Sequence, residues 1–90
     1  MVNSRGEIIV EERRRASIRL LSSDGAYMND IGGAGEGPGE YRYIGNTVVE
    51  SADSVYVWEV LARRVMVYDP NDFFFVRHVV LVILGWILYS

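Results

Sequence analysis

The segment Gly32–Tyr41 carries the residues that most invite a chemical role, because five of its ten positions are glycine. Glycine-rich loops cradle phosphates when they follow the Gly-x-Gly-x-x-Gly spacing and lead into a helix. Here Gly35, Gly37 and Gly39 alternate, and neither flank has the pattern of a helix. Glycine and proline at this density exclude a strand or helix interior, so the segment is predicted to be a loop in which Gly39 needs positive φ. Nucleotide binding is not expected.

The titratable side chains are not grouped in a way that supports catalysis or metal binding. His78 is the only histidine, and its position between an aromatic strand and an apolar run indicates a packed or edge residue. Asp69, Asn71 and Asp72 lack the length, the glycine and the terminal glutamate of an EF-hand loop, so they are interpreted as a turn. The sequence therefore predicts no catalytic residue, no cofactor and no metal ligand.

Four aromatic residues form the candidate binding surface. Tyr41 and Tyr43 adjoin the glycine-rich segment and are expected to be exposed. Tyr56 and Trp58 share one face of a strand, opposite Val55 and Val57, because side chains alternate along a strand. For Tyr56 and Trp58, packing within a core competes with a role in binding, and packing is the favoured interpretation.

Composition limits the classes of protein to which the chain can belong. Its 90 residues allow one small domain, and the absence of cysteine excludes disulfides and cysteine-ligated metals. Nine arginines against twelve acidic residues give a mixed, mildly acidic balance that does not favour nucleic acid as a partner. Residues 1–6 contain no apolar segment of the kind that a signal peptide has.

The elements that position these residues are short β-strands separated by turns. Runs of β-branched and aromatic residues bounded by Gly, Asp, Ser and Pro are typical of antiparallel strands and hairpins. The charged stretch Glu11–Arg15 is interpreted as a solvated connection. The predicted strands are 6–11, 17–21, 26–31, 43–51, 55–60 and 64–68, with a further strand beginning at 73.

The two halves of the chain are related by a shift of 47 residues. The shift places Ile8-Ile9-Val10 on Val55-Tyr56-Val57 and the turn 22–25 on the turn 69–72. It also pairs Glu12 with Glu59. Because the two glutamates occupy equivalent positions of the repeat, a structural role is favoured over acid–base catalysis. A period of this length, made of short antiparallel strands, is typical of β-propeller blades. The predicted fold is all-β, with about two antiparallel propeller-type blades and an incomplete ring.

The segment Gly35-Glu36-Gly37-Pro38-Gly39-Glu40-Tyr41 resembles the blade linker of NHL-like six-bladed propellers, in particular a bacterial group with Gly-x-Gly-Pro-Gly-Glu before Tyr or Phe. The resemblance implies a blade-like repeat at 6–31, a linker at 32–42 and a second repeat at 43–78. The uncharged residues that follow form an apolar tail at 79–90. It also implies export or a cell-surface location in bacteria. Some related propellers are calcium-dependent hydrolases or lactonases whose sites draw carboxylates from several blades.

Function is therefore predicted only as a class. The leading hypothesis is a non-enzymatic binding or scaffold module that is a fragment or truncated product. The alternatives are part of a propeller hydrolase or lactonase whose metal site needs further blades, and a membrane-tethered interaction protein. The uncharged run 79–89 is shorter than the ~20 residues of a spanning helix, which argues against a membrane. Open sheet edges and this run predict self-association.

Overall fold

The computed structural model describes residues 1–80 and consists of short strands joined by tight turns. Its only helical piece in that range is one 3-10 turn, Arg13–Arg15, in the stretch predicted as a charged connection. The strands are β1 (Ile8–Glu12), β2 (Ser17–Leu21), β3 (Tyr27–Asp30), β4 (Gly33–Ala34), β5 (Glu40–Tyr41), β6 (Ile44–Val49), β7 (Val55–Glu59), β8 (Arg64–Tyr68) and β9 (Phe75–Val80).

Two antiparallel sheets account for most of the strands. The first sheet has the order β1-β2-β3 and the second the order β6-β7-β8-β9, so each follows the chain as a meander. The prediction of an all-β chain built from antiparallel sheets is confirmed. One feature of the glycine-rich segment was not predicted, because β4 and β5 pair in parallel within it, Gly33 opposite Glu40 and Ala34 opposite Tyr41.

The shift of 47 residues relates the two sheets in detail. It carries β1 onto β7 and β2 onto β8 residue for residue. It also carries Ala16 onto Arg63, and both have left-handed backbone conformations, with φ of 47° and 51°. Both sheets have an irregularity at the same place, Leu20/Leu21 in the first and Val67/Tyr68 in the second.

The equivalence moves by one residue after the second turn. Leu21 lies opposite Tyr27, whereas its counterpart Tyr68 lies opposite Phe75. The turn after β8 is thus one residue longer than the turn after β2. A constant shift of 47 residues predicts that Tyr27 corresponds to Phe74. This is wrong by one position, because the registers make Tyr27 correspond to Phe75.

The hydrophobic core lies between the two sheets. It takes Ile9, Ile18 and Leu20 from the first sheet, residues that share a face because Ile9 is the cross-strand partner of Leu20. From the second sheet it takes Val55, Val57, Met66 and Tyr68, all with no exposed surface. Burial of these side chains provides the main driving force for joining the sheets.

Tyr56 and Trp58 lie on the opposite face of β7 and are half-buried. They do share a face, as predicted, but the expectation that they pack in the core between the sheets is wrong. Their shorter neighbours Val55 and Val57 occupy that core instead. The reason is that a strand presents alternate residues to each face, and the facing sheet lies on the valine side.

The C-terminal part of the second sheet contains the first residues of the predicted apolar tail. Val79 and Val80 belong to β9, where His78 is exposed and its ring stacks on Phe75 with centroids 6.4 Å apart. The remainder of the tail, residues 81–90, lies outside the described residues, and its predicted part in self-association stays a prediction. Within residues 1–80, none of the structure forms a helix capable of crossing a membrane.

Candidate functional site

The glycine-rich segment closes one end of the core around two tyrosines. Tyr41 is fully buried, which contradicts the expectation that it is exposed, and its hydroxyl donates to the carbonyl oxygen of Ile31. The Tyr68 hydroxyl donates to the carbonyl oxygen of Gly39 at 2.8 Å. Burial raises the pKa of both hydroxyls above the usual value of 10.0, so both act as neutral donors. The tyrosines therefore fix the segment to the sheets.

Gly39 has the positive φ that its sequence context predicts, at 73°. A Cβ at this position would lie 2.8 Å from the Cβ of Phe75, so the position excludes side chains on two grounds. The neighbouring N–H of Gly37 donates to Glu40 Oε1 at 2.8 Å. The segment thus uses this amide for its own closure, in contrast to a phosphate-binding loop, which directs its amides outward.

A cluster at the edge of the two sheets joins residues far apart in the chain. The hydroxyl and the backbone N–H of Ser4 both donate to the carboxylate of Asp53, the latter at 2.9 Å. Arg5 donates to the carbonyl oxygen of Pro70, and its guanidinium lies 5.7 Å from the centroid of the Phe73 ring. The hydroxyl of Ser4, and then its N–H, hold the pKa of Asp53 below its usual value of 3.8. We call Ser4, Arg5 and Asp53 the corner latch.

Asp53 is unusual among the latch residues because its backbone is left-handed, with φ of 71°. The equivalent position in the first sheet is Gly6, with φ of 79°. Glycine adopts this conformation freely, and aspartate is among the few other residues that tolerate it. The carboxylate of Asp53 therefore adds an inter-sheet hydrogen bond at a position where the backbone alone favours glycine.

A cavity of about 310 Å³ beside the linker is the best candidate for a binding site. Tyr43, which is 53% exposed, forms part of its wall. The cavity lies where the linker enters the second sheet and where the β7–β8 turn approaches it. We call it the Tyr43 cavity, and its lining residues are Glu36, Arg42, Tyr43, Glu59, Leu61, Ala62 and Arg64.

The floor of the Tyr43 cavity is a charged pair held by the sheet. Glu59 ends β7 and lies directly opposite Arg64, which begins β8. Glu59 is almost fully buried, and its two oxygens accept the N–H groups of Ala62 at 3.1 Å and Arg42 at 3.4 Å. Arg64 Nη2 donates to the carbonyl oxygen of Glu40 at 2.9 Å and lies 3.9 Å from Glu59 Oε2. These contacts offset the cost of burying both charges.

One donor of a residue that lines the Tyr43 cavity has no acceptor among residues 1–80. The Nε of Arg64 is buried there and makes no hydrogen bond. Arg42, by contrast, pairs with Glu36 in an exposed ion pair, which contributes little to stability and is easily exchanged. The cavity therefore places one anchored guanidinium, that of Arg64, and one exchangeable guanidinium, that of Arg42, beside an exposed aromatic ring.

The structure does not bring the four predicted binding residues together. Tyr43 lies at the cavity, Tyr41 is in the core, and Tyr56 and Trp58 lie on another face of the second sheet. The prediction missed Arg42 and Arg64, and it noticed Glu59 only as the repeat partner of Glu12. Within residues 1–80 there is no group of three His, Asp or Glu side chains arranged to hold a metal ion.

Comparison with known proteins relates the chain to β-propellers. A family described as a 6-bladed beta-propeller matches residues 1–84. Among the solved chains that match is a crystal structure of a Bacteroides fragilis protein described as a candidate exported protein, with 22% identity and a TM-score of 0.73. The match covers 90% of this chain and 25% of that one, so this chain spans about a quarter of its length. No curated protein matches the sequence.

Proposed function

The chain belongs to a family of six-bladed β-propellers, and we propose that it is a non-enzymatic binding module that uses the Tyr43 cavity as its contact surface. The single observation that carries this proposal is the meeting, in one cavity, of the guanidinium groups of Arg42 and Arg64 with the exposed ring of Tyr43. We further propose that residues 32–42 are an NHL-like linker, which brings Tyr43 to the mouth of the cavity.

The chemistry of the cavity favours a small ligand with an oxygen acceptor next to an apolar group. Hydrogen bonds from a guanidinium to a carboxylate are roughly twice as strong as those between neutral groups, so a ligand carboxylate gains most beside the two arginines that line the cavity. The ring of Tyr43 and the side chain of Leu61 supply an apolar wall. Arg42 can exchange its exposed pairing with Glu36 for a ligand carboxylate. An aromatic amino-acid carboxylate, as at the end of a peptide, has both features.

The test is a two-dimensional NMR titration of the full chain with N-acetyl-phenylalanine, in parallel with its uncharged amide. We expect the carboxylate to shift the backbone signals of Tyr43, Leu61 and Ala62 and to saturate near millimolar concentration, equivalent to about 4 kcal/mol of binding free energy. The amide should bind at least threefold more weakly. Absence of saturable shifts at these residues would contradict the proposed site.

Matched variants separate the cavity from general aromatic contacts. Tyr43→Ala removes the exposed ring at the cavity and should weaken binding about tenfold, a loss of about 1.4 kcal/mol. Tyr27→Ala is the control, because Tyr27 is similarly exposed but lies on the first sheet. Equal weakening by both variants would show that the ligand binds exposed rings without using the cavity.

A further inference from the structure

The two faces of each sheet have different roles. The first sheet packs on the second through the face that carries Ile9, Ile18 and Leu20. We call this face, and its equivalent in the second sheet, the front. The second sheet receives it on the face that carries Val55, Val57, Met66 and Tyr68, which we call the back. The contact between the sheets is therefore front to back.

One front and one back have no second sheet packed on them among residues 1–80. The shift of 47 residues places the front of the second sheet at Tyr56, Val65 and Val67, with Trp58 beside them. Val67 is 7% exposed and the other three are half-buried. Two valines on the same face, Val48 and Val79, are 46% and 45% exposed. The register confirms this grouping, because Val48, Tyr56 and Val67 are successive cross-strand partners, as are Trp58, Val65 and Val79.

The uncovered back belongs to the first sheet. The counterparts of Val55, Val57, Met66 and Tyr68 are Ile8, Val10, Arg19 and Leu21. Val10 is 36% exposed, whereas its counterpart Val57 has no exposed surface. Tyr27, next to Leu21 in the register, is 59% exposed. Arg19 stands where Met66 lies in the second sheet, and its guanidinium lies 3.8 Å from Glu12 Oε2 and 6.0 Å from the centroid of the Tyr27 ring. The back is therefore apolar at Ile8, Val10 and Leu21, with one paired arginine between them.

We propose that a second copy of this chain covers these surfaces, with the front of its second sheet packed on the back of the first sheet of the next copy. The contact continues the interface that already joins the two sheets of one chain. Such a head-to-tail contact is heterologous, so its rotation decides whether it closes into a ring. In a six-bladed family, three copies with two sheets each complete one turn, which makes a closed trimer the expected product.

This contact is weaker than the one within the chain. Between copies, Ser51 takes the place of Ser4, and Gly6 takes the place of Asp53. Glycine has no carboxylate, so the hydrogen bonds of the corner latch do not form there. The association is therefore expected to be reversible and to depend on protein concentration.

Sedimentation velocity of the full chain over a range of concentrations tests the assembly. We expect the mass to rise from 10.2 kDa toward about 31 kDa, the mass of a trimer, and then to stop. A monomer at all concentrations overturns the proposal. So does growth without a limit, which open strand edges or the apolar C-terminal run would produce.

Variants of the two faces give the decisive result. Tyr56→Lys places a charge on the front and Val10→Lys places one on the back, so each should leave the chain monomeric on its own. Mixed in equal amounts, the two variants retain one intact front and one intact back between them. The mixture should form a dimer of one copy of each and nothing larger.

The control is Phe74→Lys, which replaces a large exposed side chain in the turn before β9, outside both faces. It should assemble like the unaltered chain. Far-UV circular dichroism verifies that each variant keeps its sheets. If the mixed variants stay monomeric while folded, or if either variant alone still forms trimers, the front-to-back contact is refuted.

Discussion

Replacement of Gly39 by alanine should destabilise the fold through two separable effects. The backbone at Gly39 is left-handed, with φ of 73°, which costs a residue with a Cβ about 1–2 kcal/mol. The new Cβ would also lie 2.8 Å from the Cβ of Phe75 and 3.0 Å from its Cγ. Overpacking of this kind costs about 1–3 kcal/mol, because Phe75 must move as a whole residue on β9. Together these effects predict a loss of about 2–5 kcal/mol.

Two other glycines supply the controls that separate these effects. Gly25 has a φ of 93° but no heavy atom within 4 Å of a built Cβ, so Gly25→Ala should lose only the backbone part, about 1–2 kcal/mol. Gly33 has neither a left-handed backbone nor a neighbour within 4 Å. Gly33→Ala should therefore be neutral or slightly stabilising, because alanine restricts the unfolded chain by about 0.4–1 kcal/mol.

Urea unfolding followed by far-UV circular dichroism measures all three variants. The difference between Gly39→Ala and Gly25→Ala isolates the contact with Phe75, provided that the dependence on urea is the same for all three. If Gly39→Ala costs no more than Gly25→Ala, the close approach of the linker to β9 is not rigid. The assignment of the linker as a packed element would then fail.

The remaining predictions concern the tyrosine and latch contacts. Tyr68→Phe should lower the free energy of unfolding in urea by about 1–2 kcal/mol, because it leaves the buried carbonyl of Gly39 without a donor. Tyr27→Phe, at an exposed position, should lower it by under about 0.5 kcal/mol. Equal losses for the two variants would contradict the burial argument. Asp53→Asn should make the free energy of unfolding depend less on pH in the acid range. The folded pKa of Asp53 lies below 3.8, so its ionised form stabilises the fold above that value. This contribution is lost as the pH falls through the folded pKa. A stability difference between wild type and Asp53→Asn that stays constant down to about pH 2 would refute this.

The strands could be predicted because their signals are local. The alternation in Val55–Glu59 and the β-branched run at Ile8–Val10 each specify a strand without help from distant residues. The period of 47 residues then gave the relation between the sheets, since equal strand lengths and turns repeat along the chain. Both depend only on residues that are close in sequence.

The errors arose where distant residues decide the outcome. The sequence predicts that Tyr41 is exposed because it adjoins a glycine-rich segment. Its burial depends instead on Tyr68 and on the carbonyl oxygen of Ile31, which are distant in the chain. The side of β7 that faces the core was set by which sheet lies beside it, which composition cannot decide. Either aromatic or aliphatic residues suit such a core.

The Tyr43 cavity could not be predicted from the sequence for the same reason. Glu59 and Arg64 are close in sequence, and their pairing follows from a hairpin that was predicted. Their burial depends on Glu40 and Arg42, which arrive from the linker. No local pattern marks a linker carbonyl as the acceptor for an arginine three strands later in the chain, so the site forms only when the linker is folded.

Gly6 and Asp53 have the same left-handed backbone conformation at equivalent turn positions, but only Asp53 has a side chain that can hydrogen-bond to the neighbouring sheet. In a ring of similar sheets, the hydrophobic faces alone do not determine which sheets are neighbours, since any such face can pack on another of about the same size. A single carboxylate at a position that tolerates a left-handed backbone adds a hydrogen bond that is specific to one pair of sheets. Substitutions at these turn positions can therefore determine the order of the sheets without changing the sheets themselves.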